Sequence, residues 1–361
     1  KIGLNLELTG EVSVYGVPEK LAAELAVKEI NAAGGINGKD VELVIYDNAY
    51  DSAKAVENAQ KLATQDGVVA MLGSATSAPT LAIGPVALEN KVLTITPSGS
   101  NAGVTMNGTA VNPYVFRACF IDPFQGKVLA NFAYTNLSAK KAVVMGSNSS
   151  DYAKDLASIF GAQFTANGGE VLQVGGDVSW YADADTDFSA QLTSIAALGD
   201  FDVLFVADYA ARAGLIIGQA RAIPGLENVA IIGPDGFESP SLNDLAGGAA
   251  NVNNVYFSTH FSTLLTDAKV QTFIDNYTTS AGEAPSALSA LAYDSMYMLF
   301  AAIKTANSTD PVKVRDALEA TTAFAGVTGT ISFDAFHNPI KSAIIVKLTN
   351  GAQTEAIIVQ P

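Results

Sequence analysis

The chain has 361 residues, 49% of them hydrophobic, which is enough apolar material for about two domains. Its formal net charge is -16 with only 20 lysines and arginines, so the clustered cations that phosphate contacts require are missing and nucleic acid is excluded as a partner. No uncharged apolar run reaches the ~18 residues of a membrane-spanning helix.

The N-terminal residue, Lys1, leads directly into a strand-like run, "KIGLNLEL". This start predicts an N-terminus processed after a signal peptide. Cys119 is the single cysteine and lies in the apolar stretch "YVFRACFI". It can form no intramolecular disulfide, and its context predicts a buried core thiol.

Short strand-like runs alternate with helical patterns along the first half. "IGLNLEL" is followed by a helix predicted over 18–33, "VELVIYD" by one over 52–65 and "VVAMLG" by one over 78–90, before the strand "VLTIT". A similar series runs through "KAVVMG", "EVLQVGG", "DVLFVAD" and "VAIIG". This order predicts an α/β fold with parallel sheets covered by helices on both faces.

The two series correspond at an offset of 137 residues. The offset pairs Tyr15 with Tyr152, each just past the first strand of its half, and Pro97-Ser98-Gly99 with Pro234-Asp235-Gly236. Ligands of open parallel sheets bind outside the carboxyl ends of the strands. The chain is therefore predicted to be duplicated, with matching loops at matching ligand sites.

The last third carries helices predicted over 267–281, 285–306 and 310–321, then the strand-like runs "GVTGTISFD", "SAIIVKL" and "EAIIV". These late segments must pack on the earlier sheets. The arrangement predicts two lobes, with the chain crossing between them more than once. Such crossings form a hinge, and the cleft between the lobes is the predicted ligand site.

Hydroxyl residues follow two predicted strands of the first half. Ser77 is predicted to cap the helix that follows it, or to seat a carboxylate together with the N–H groups of the helix start. Ser98 and Ser100 are either turn residues or ligand-binding hydroxyls, and Gly99 between them lets the backbone come close.

Asp235 lies at the equivalent point of the second half, before Gly236. An Asp before a Gly is commonly a turn former. Opposite the hydroxyl cluster, its carboxylate would suit the ammonium group of a zwitterion whose acid group the hydroxyls hold. The side chains that would wall such a cleft, each with an alternative as an ordinary half-buried aromatic, are Tyr15, Tyr152 and Tyr209.

Catalytic motifs are missing from the sequence. The two histidines, His260 and His337, have no metal-ligand spacing, and neither a G-x-S-x-G elbow nor a G-x-G-x-x-G turn occurs. "DADTDFSAQLTS" begins like a calcium loop but has Phe188 where Gly is needed and Ser194 where Glu belongs. We therefore expect no catalytic residues, no metal and no cofactor.

The stretch "EINAAGGINGKDVELVIYDNAYDSAKAVENAQKLATQDGVVAMLGSATS" resembles the type I periplasmic binding proteins of branched-chain amino-acid ABC transporters, the leucine/isoleucine/valine-binding group. The likeness continues through "VLTITPSGSN", "YVFRACFIDPFQG" and "IIGPDGFES" and covers essentially the whole chain. It implies two Rossmann-like lobes, one formed by 1–120 and 256–329 and the other by 121–255 and 330–361. The implied three-segment hinge lies near 119–123, 255–259 and 328–332.

The resemblance also implies the binding residues. It assigns Ser77 to the ligand carboxylate, the backbone carbonyl of Ser98 to the ammonium and the hydroxyl of Ser100 to a place beside it. Asp235 stands where leucine-type proteins have a Glu that pairs with the ammonium, so its reach is shorter. The other implied cleft positions are Tyr15, Tyr152, Tyr209, the backbone of Gly236 and Asp122 near the first crossing. A further departure is Asp208, which adds a charge beside Tyr209.

The function expected from this resemblance is that of an extracytoplasmic substrate-binding protein of an ABC importer. It would bind an aliphatic, branched-chain or small α-amino acid between its lobes, close by hinge motion, act as a monomer and deliver the ligand to a membrane permease. The expected location is periplasmic or extracellular. The resemblance leaves open whether a lipid anchor holds the protein at the outer face of the cytoplasmic membrane. The alternatives are a ligand-sensing ectodomain of the same fold, a binder of another small amide or carboxylate, and an α/β enzyme.

Overall fold

The computed structural model describes residues 1–172, 176 and 178–360. In chain order, its helices are α1 (Ser13–Ala32), α2 (Ser52–Lys61), α3 (Ser77–Asn90), α4 (Asp122–Thr135), α5 (Asp151–Ala166), α6 (Ser189–Ala196), α7 (Ala210–Arg221), α8 (Leu242–Leu245), α9 (Ala268–Ala281), α10 (Ala287–Ala306) and α11 (Pro311–Glu319). Within the described residues, no helix combines the length and the apolar character that crossing a bilayer requires.

The strands are β1 (Ile2–Leu6), β2 (Leu43–Asp47), β3 (Ala70–Gly73), β4 (Leu93–Thr96), β5 (Met106–Asn107), β6 (Ala110–Val111), β7 (Val115–Arg117), β8 (Lys141–Ser147), β9 (Glu170–Leu172), β10 (Ser179–Tyr181), β11 (Val203–Ala207), β12 (Ala230–Gly233), β13 (Val255–Thr259), β14 (Phe324–Gly326), β15 (Gly329–Phe333), β16 (Pro339–Ile340), β17 (Ala343–Thr349) and β18 (Ala352–Val359). The strand predicted from "EVLQVGG" is described only as β9, because residues 173–175 lie outside the described part of the chain.

The chain divides into two compact units. Unit 1 comprises Lys1–Ile121 and Leu265–Ser342, and unit 2 comprises Asp122–Leu264 and the chain from Ala343 onward. The lobes expected from sequence have different second and third boundaries. Residues 256–264 fall in unit 2 because β13 pairs with β12 and β17, and residues 330–342 fall in unit 1, where β15 pairs with β14 and β16.

Unit 1 is built on a parallel sheet with the strand order β2-β1-β3-β4-β7. Every residue of β1, β3 and β4 is buried, as expected for a sheet with helices on both faces. The sequence placed the start of α1 at Pro18, but the helix begins at Ser13 and includes this proline. The helix predicted over 52–65 is α-helical to Lys61 and continues as a π turn over Leu62–Asp66.

Unit 2 has a mixed sheet in which β10-β8-β11-β12-β13 are parallel, while β17 and β18 extend one edge in antiparallel fashion. The late runs "SAIIVKL" and "EAIIV" form this antiparallel edge. The predicted α/β class is confirmed. The predicted duplication of the chain is confirmed as well, because β4 in unit 1 and β12 in unit 2 occupy equivalent places in their sheets. Ser98 follows the first of these strands and Asp235 the second.

Candidate functional site

In unit 1 the predicted hydroxyl residues lie at the carboxyl ends of adjacent parallel strands. Ser77 follows β3 as the first residue of α3, and Ser98 and Ser100 follow β4. All three are buried, and the backbone N–H of Asn101 donates to Ser77 Oγ at 3.2 Å, which ties the two loops together. The structure therefore brings these residues together at one edge of the sheet.

The prediction that Ser77 caps α3 is wrong. The N-cap is Thr76, and its side chain makes no capping hydrogen bond. Its hydroxyl instead donates to Glu7 Oε1 at 2.5 Å, while the N–H groups of Ala75 and Thr76 donate to the same carboxyl group at 2.9 and 3.1 Å. The carboxyl group of Glu7 therefore binds the N–H groups of the loop that directly precedes α3.

Glu7 was missed in the sequence although it directly follows β1, a strand whose end lies beside that of β3. It is buried, and burial raises the pKa of its carboxyl group, whereas the hydrogen bonds from Thr76 and Ala75 lower it. The strand-end rule that selected Ser98 would also have selected Glu7.

A second buried acid, Glu19 on α1, contacts the predicted ligand residue Ser98. Glu19 Oε1 lies 2.5 Å from Ser98 Oγ, which itself lies 2.6 Å from the carbonyl oxygen of Ala75. A hydroxyl has one proton, so an ionised Glu19 would leave one of these two short contacts without a hydrogen. A protonated Glu19 donates to Ser98 Oγ, and Ser98 donates to the carbonyl, which satisfies both.

The electrostatics of Glu19 agree with this proton count. Burial raises the pKa of Glu19 well above its ordinary value, the contact with Ser98 lowers it by less, and the charge of Glu7 raises it further. Within the described residues, the other oxygen of Glu19 is buried without a hydrogen-bond partner. Burial and the charge of Glu7 therefore both favour the neutral form of the Glu19 carboxyl group.

We expect Glu19→Gln to become more stable relative to the wild-type protein as the pH rises. A carboxyl group whose pKa is raised by folding contributes most below its unfolded pKa, near 4.5, and this contribution is lost as the pH rises toward the folded pKa. Glutamine has the same shape and no proton to lose. Urea unfolding at about pH 4.5 and pH 8 measures the difference in unfolding free energy. A difference that does not change with pH would contradict the raised pKa of Glu19, and Glu57→Gln supplies the same substitution at an exposed position for comparison.

Arg117, at the end of β7, holds the loop that carries Ser98 and Ser100. Its guanidinium is fully buried and donates to the carbonyl oxygens of Gly99 and Asn101 at 3.0 and 2.8 Å. A lone arginine in an apolar strand gave no functional signal in the sequence. Tyr15 is also buried and lies on α1, one helical turn before Glu19.

In unit 2 the predicted residues converge on Asp235, which begins a 3-10 turn after β12. Its Oδ1 accepts from the Tyr152 hydroxyl at 2.7 Å and from Gln125 Nε2 at 3.2 Å, and its Oδ2 lies 3.2 Å from His260 Nε2. The rings of Tyr152 and Tyr209 are stacked, with centroids 4.7 Å apart. We call Gln125, Tyr152, Tyr209, Asp235 and His260 the Asp235 cluster.

Tyr152 is a neutral donor in this cluster. Burial, followed by the charge of Asp235, raises the pKa of its phenol well above the ordinary value. The same hydroxyl accepts from the backbone N–H of Gly236 at 2.9 Å. A Cβ at position 236 would lie 2.8 Å from this hydroxyl, so the glycine allows the close approach.

Asp122 reaches the cluster through Gln125. It is buried at the start of α4 and accepts from Gln125 Nε2 at 2.8 Å, while Gln125 Oε1 accepts from Ser258 Oγ at 2.9 Å. Sequence reasoning missed Gln125 and considered His260 only as a metal ligand. His260 follows β13, the neighbour of β12, so the strand-end rule would have selected it.

Asp208, the other acid beside Tyr209, is part of a separate ion pair. Its carboxylate accepts from Arg212 Nε and Nη2 at 2.8 and 3.0 Å and from the Tyr181 hydroxyl at 2.8 Å. Burial raises the pKa of Asp208, and these hydrogen bonds and the arginine charge oppose the rise. Arg212 therefore balances the charge of Asp208 within unit 2.

Among the described residues, no group of three or more histidine, cysteine, aspartate or glutamate side chains is placed to hold a metal ion. The chain nevertheless matches a known family over almost its full length. A family model described as periplasmic binding protein covers residues 1–353. This chain belongs to that family. It is a family of ligand-binding proteins, and its description places its members in the periplasm.

Three related periplasmic binding proteins have informative names. The Leu/Ile/Val-binding protein homolog 1 of Brucella abortus (strain 2308) is 30% identical over 354 residues, covering 97% of this chain and 91% of that protein. The leucine-, isoleucine-, valine-, threonine-, and alanine-binding protein of Pseudomonas aeruginosa PAO1 is 30% identical over 335 residues, covering 92% and 85%. The crystal structure of the branched-chain amino acid transporter substrate binding protein LivJ from Streptococcus pneumoniae, in complex with isoleucine, is 38% identical, covers 100% of this chain and 99% of its own, and has a TM-score of 0.92.

Proposed function

We propose that this protein is the substrate-binding protein of an ABC importer and that it binds an aliphatic α-amino acid. The observation that carries the proposal is Asp235, whose carboxylate is held by the Asp235 cluster and is distinct from the ion-paired Asp208. The related proteins named for leucine, isoleucine, valine, threonine or alanine support this ligand class.

The Asp235 carboxylate is the proposed partner of the ligand ammonium. A charge-assisted hydrogen bond in a desolvated site is stronger than a neutral one. Tyr152 stays protonated and therefore adds no second negative charge. The stacked rings of Tyr152 and Tyr209, with the backbone of Gly236, are the proposed apolar surface beside the ligand.

Ser77, Ser98 and Ser100 lie at one edge of the sheet of unit 1, which we call the hydroxyl edge. This edge is the proposed partner of the ligand carboxylate. Ser77 and Ser100 offer hydroxyl groups, and Ser98 offers its backbone carbonyl to the ammonium. The raised pKa of Glu19 suits this role, because an ionised carboxyl group beside Ser98 would repel the ligand carboxylate. We propose that one amino acid engages groups of both units, with Tyr15 and Asp122 as more distant contributors, and that hinge motion accompanies binding.

The remaining parts of the proposal concern the setting of the protein. We propose that it works outside the cytoplasm as a monomer without enzymatic activity and delivers its ligand to a membrane permease. Within this proposal, attachment by a lipid anchor to the outer face of the cytoplasmic membrane is an alternative to a freely diffusing protein. The family membership supports a binding role in transport.

A thermal-shift screen tests the proposed ligand class. Leucine, isoleucine and valine are expected to raise the melting temperature, because a ligand at 100-fold excess over its dissociation constant adds about 2.7 kcal/mol of stability. Threonine and alanine extend the series toward small side chains. D-leucine is the matched control, since it carries the same groups in the wrong arrangement. Shifts by sugars, purines or aromatic acids without any by amino acids would contradict the proposal.

A further inference from the structure

His260 is a buried imidazole next to the acid of the proposed site. It follows β13 directly and is 2% exposed. Its Nε2 lies 3.2 Å from Asp235 Oδ2. Because β12 and β13 are parallel neighbours, with Gly233 opposite Phe257, the residues after the two strands are held side by side. The contact between His260 and Asp235 is thus fixed by the sheet.

In the described part of the chain, the other charged groups on or beside the elements that pack against β13 are two acids and two lysines. Glu238, just after the turn that holds Asp235, accepts from Thr259 Oγ1 at 2.5 Å. Asp122, on α4, is linked to Asp235 through Gln125. The cations on these elements are Lys127 on α4, which is exposed, and Lys347 on β17, whose Nζ lies 2.9 Å from Glu355 Oε1. The acid in contact with His260 is Asp235, and a neighbouring negative charge favours a protonated imidazole, whereas burial opposes it.

We propose that His260 is a positioning residue that makes the affinity for the amino acid depend on pH through Asp235. This inference rests on the proposed function. When His260 is neutral, its Nε2–H donates to Asp235 Oδ2 and orients a carboxylate with full negative charge toward the ligand ammonium. When His260 is protonated, the imidazolium forms an ion pair with Asp235 and competes with that ammonium.

The direction of the pH effect follows from linkage. A bound ammonium beside Asp235 disfavours a second cation there, so binding releases the proton of any His260 that carries one. Affinity therefore falls as the pH falls, by up to about tenfold per pH unit for one linked proton. The pH range of the loss is the range in which His260 takes up this proton, and the titration of affinity against pH measures it.

Calorimetric titration with leucine between about pH 5.5 and pH 8 tests the proposal. We expect the wild-type affinity to fall roughly tenfold across this range. His260→Gln, which keeps a donor but cannot become a cation, is expected to bind with a nearly constant affinity. A wild-type profile without a pH effect, or an equal effect in His260→Gln, would overturn the proposal. Circular dichroism establishes that the variant is folded, and His260→Asn provides a second neutral variant.

The chain offers a matched control, since His337 is the other histidine. It lies in unit 1, stacked on Phe116 with ring centroids 3.8 Å apart and with Nδ1 3.0 Å from the carbonyl oxygen of Val115. His337→Gln is expected to keep the wild-type pH profile of affinity. If His337→Gln abolishes the pH dependence and His260→Gln does not, the role given to His260 is wrong.

An NMR titration separates this inference from the proposed function because it needs no ligand. The two imidazoles are assigned with the two glutamine variants. Asp235→Asn is expected to lower the pKa of the His260 imidazole, since it removes the neighbouring negative charge. An unchanged titration would overturn the coupling between His260 and Asp235. Failure of every amino acid to bind, with the coupling present, would instead overturn the proposed function.

Discussion

Asp235→Ala is expected to weaken amino-acid binding by roughly 30- to several-thousand-fold and to leave the protein folded. Removing one partner of a desolvated charge pair costs about 2–5 kcal/mol, much of it from the charge left behind. The side chain lies in a turn after β12 and is held by hydrogen bonds, so its loss opens no cavity in the hydrophobic core. Calorimetric titration with leucine measures the loss, and circular dichroism establishes the fold.

Two conservative variants separate charge from shape at this position. Asp235→Glu is expected to keep more affinity than Asp235→Asn, because an ammonium requires charge more than an exact fit. The exposed Asp200 in the same unit supplies a control variant, Asp200→Ala, with unchanged affinity. Near-wild-type affinity in a folded Asp235→Ala protein would show that the acid of the site has been misplaced.

Asp208→Ala is expected to lower the free energy of unfolding by about 3–5 kcal/mol, because removal of one partner leaves an uncompensated buried charge. Arg212 is 5% exposed and donates to both oxygens of Asp208, and the Tyr181 hydroxyl would also lose its acceptor. Denaturant unfolding monitored by circular dichroism measures the change. The affinity of the folded fraction for leucine is expected to change much less than in Asp235→Ala.

A double variant tests the reason for this loss. Asp208→Leu with Arg212→Met removes both charges and keeps similar volumes, so it is expected to be less destabilised than Asp208→Ala alone. Asp200→Ala serves again as the exposed control. The free energy of unfolding is also measured for Asp208→Leu and Arg212→Met alone. If the loss in the double variant equals the sum of the two single losses, the two side chains act independently. In that case Asp208 would again compete with Asp235 as the ligand acid.

The parts of the site that could be predicted are those that follow from strand ends. Alternating strands and helices predict parallel sheets, and a polar residue after a strand then lies at the ligand edge. That rule located Ser98 and Asp235. Applied to every strand, the rule also selects Glu7 after β1 and His260 after β13, although neither residue matches a catalytic or metal motif.

Other features depend on tertiary contacts that a single sequence does not contain. The N-cap of α3 is Thr76, one residue before the predicted Ser77. Thr76 is held there by Glu7, which lies 69 residues earlier in the chain. The raised pKa of the Glu19 carboxyl group follows from its burial and from the charge of Glu7. The second and third crossings between units depend on which strands pair with β13 and β15, and periodicity does not specify strand partners.

Calorimetric titration of leucine beside two of its truncated analogues tests the central claim most directly. The first analogue, 4-methylpentanoate, lacks the ammonium that Asp235 is proposed to hold, and the second, isopentylamine, lacks the carboxylate proposed for the hydroxyl edge around Ser77. The account predicts tight binding of leucine and a loss of at least about 100-fold for each analogue, which corresponds to roughly 2.7 kcal/mol. Equal affinity for leucine and either analogue, or no measurable binding of leucine, isoleucine and valine, would contradict it.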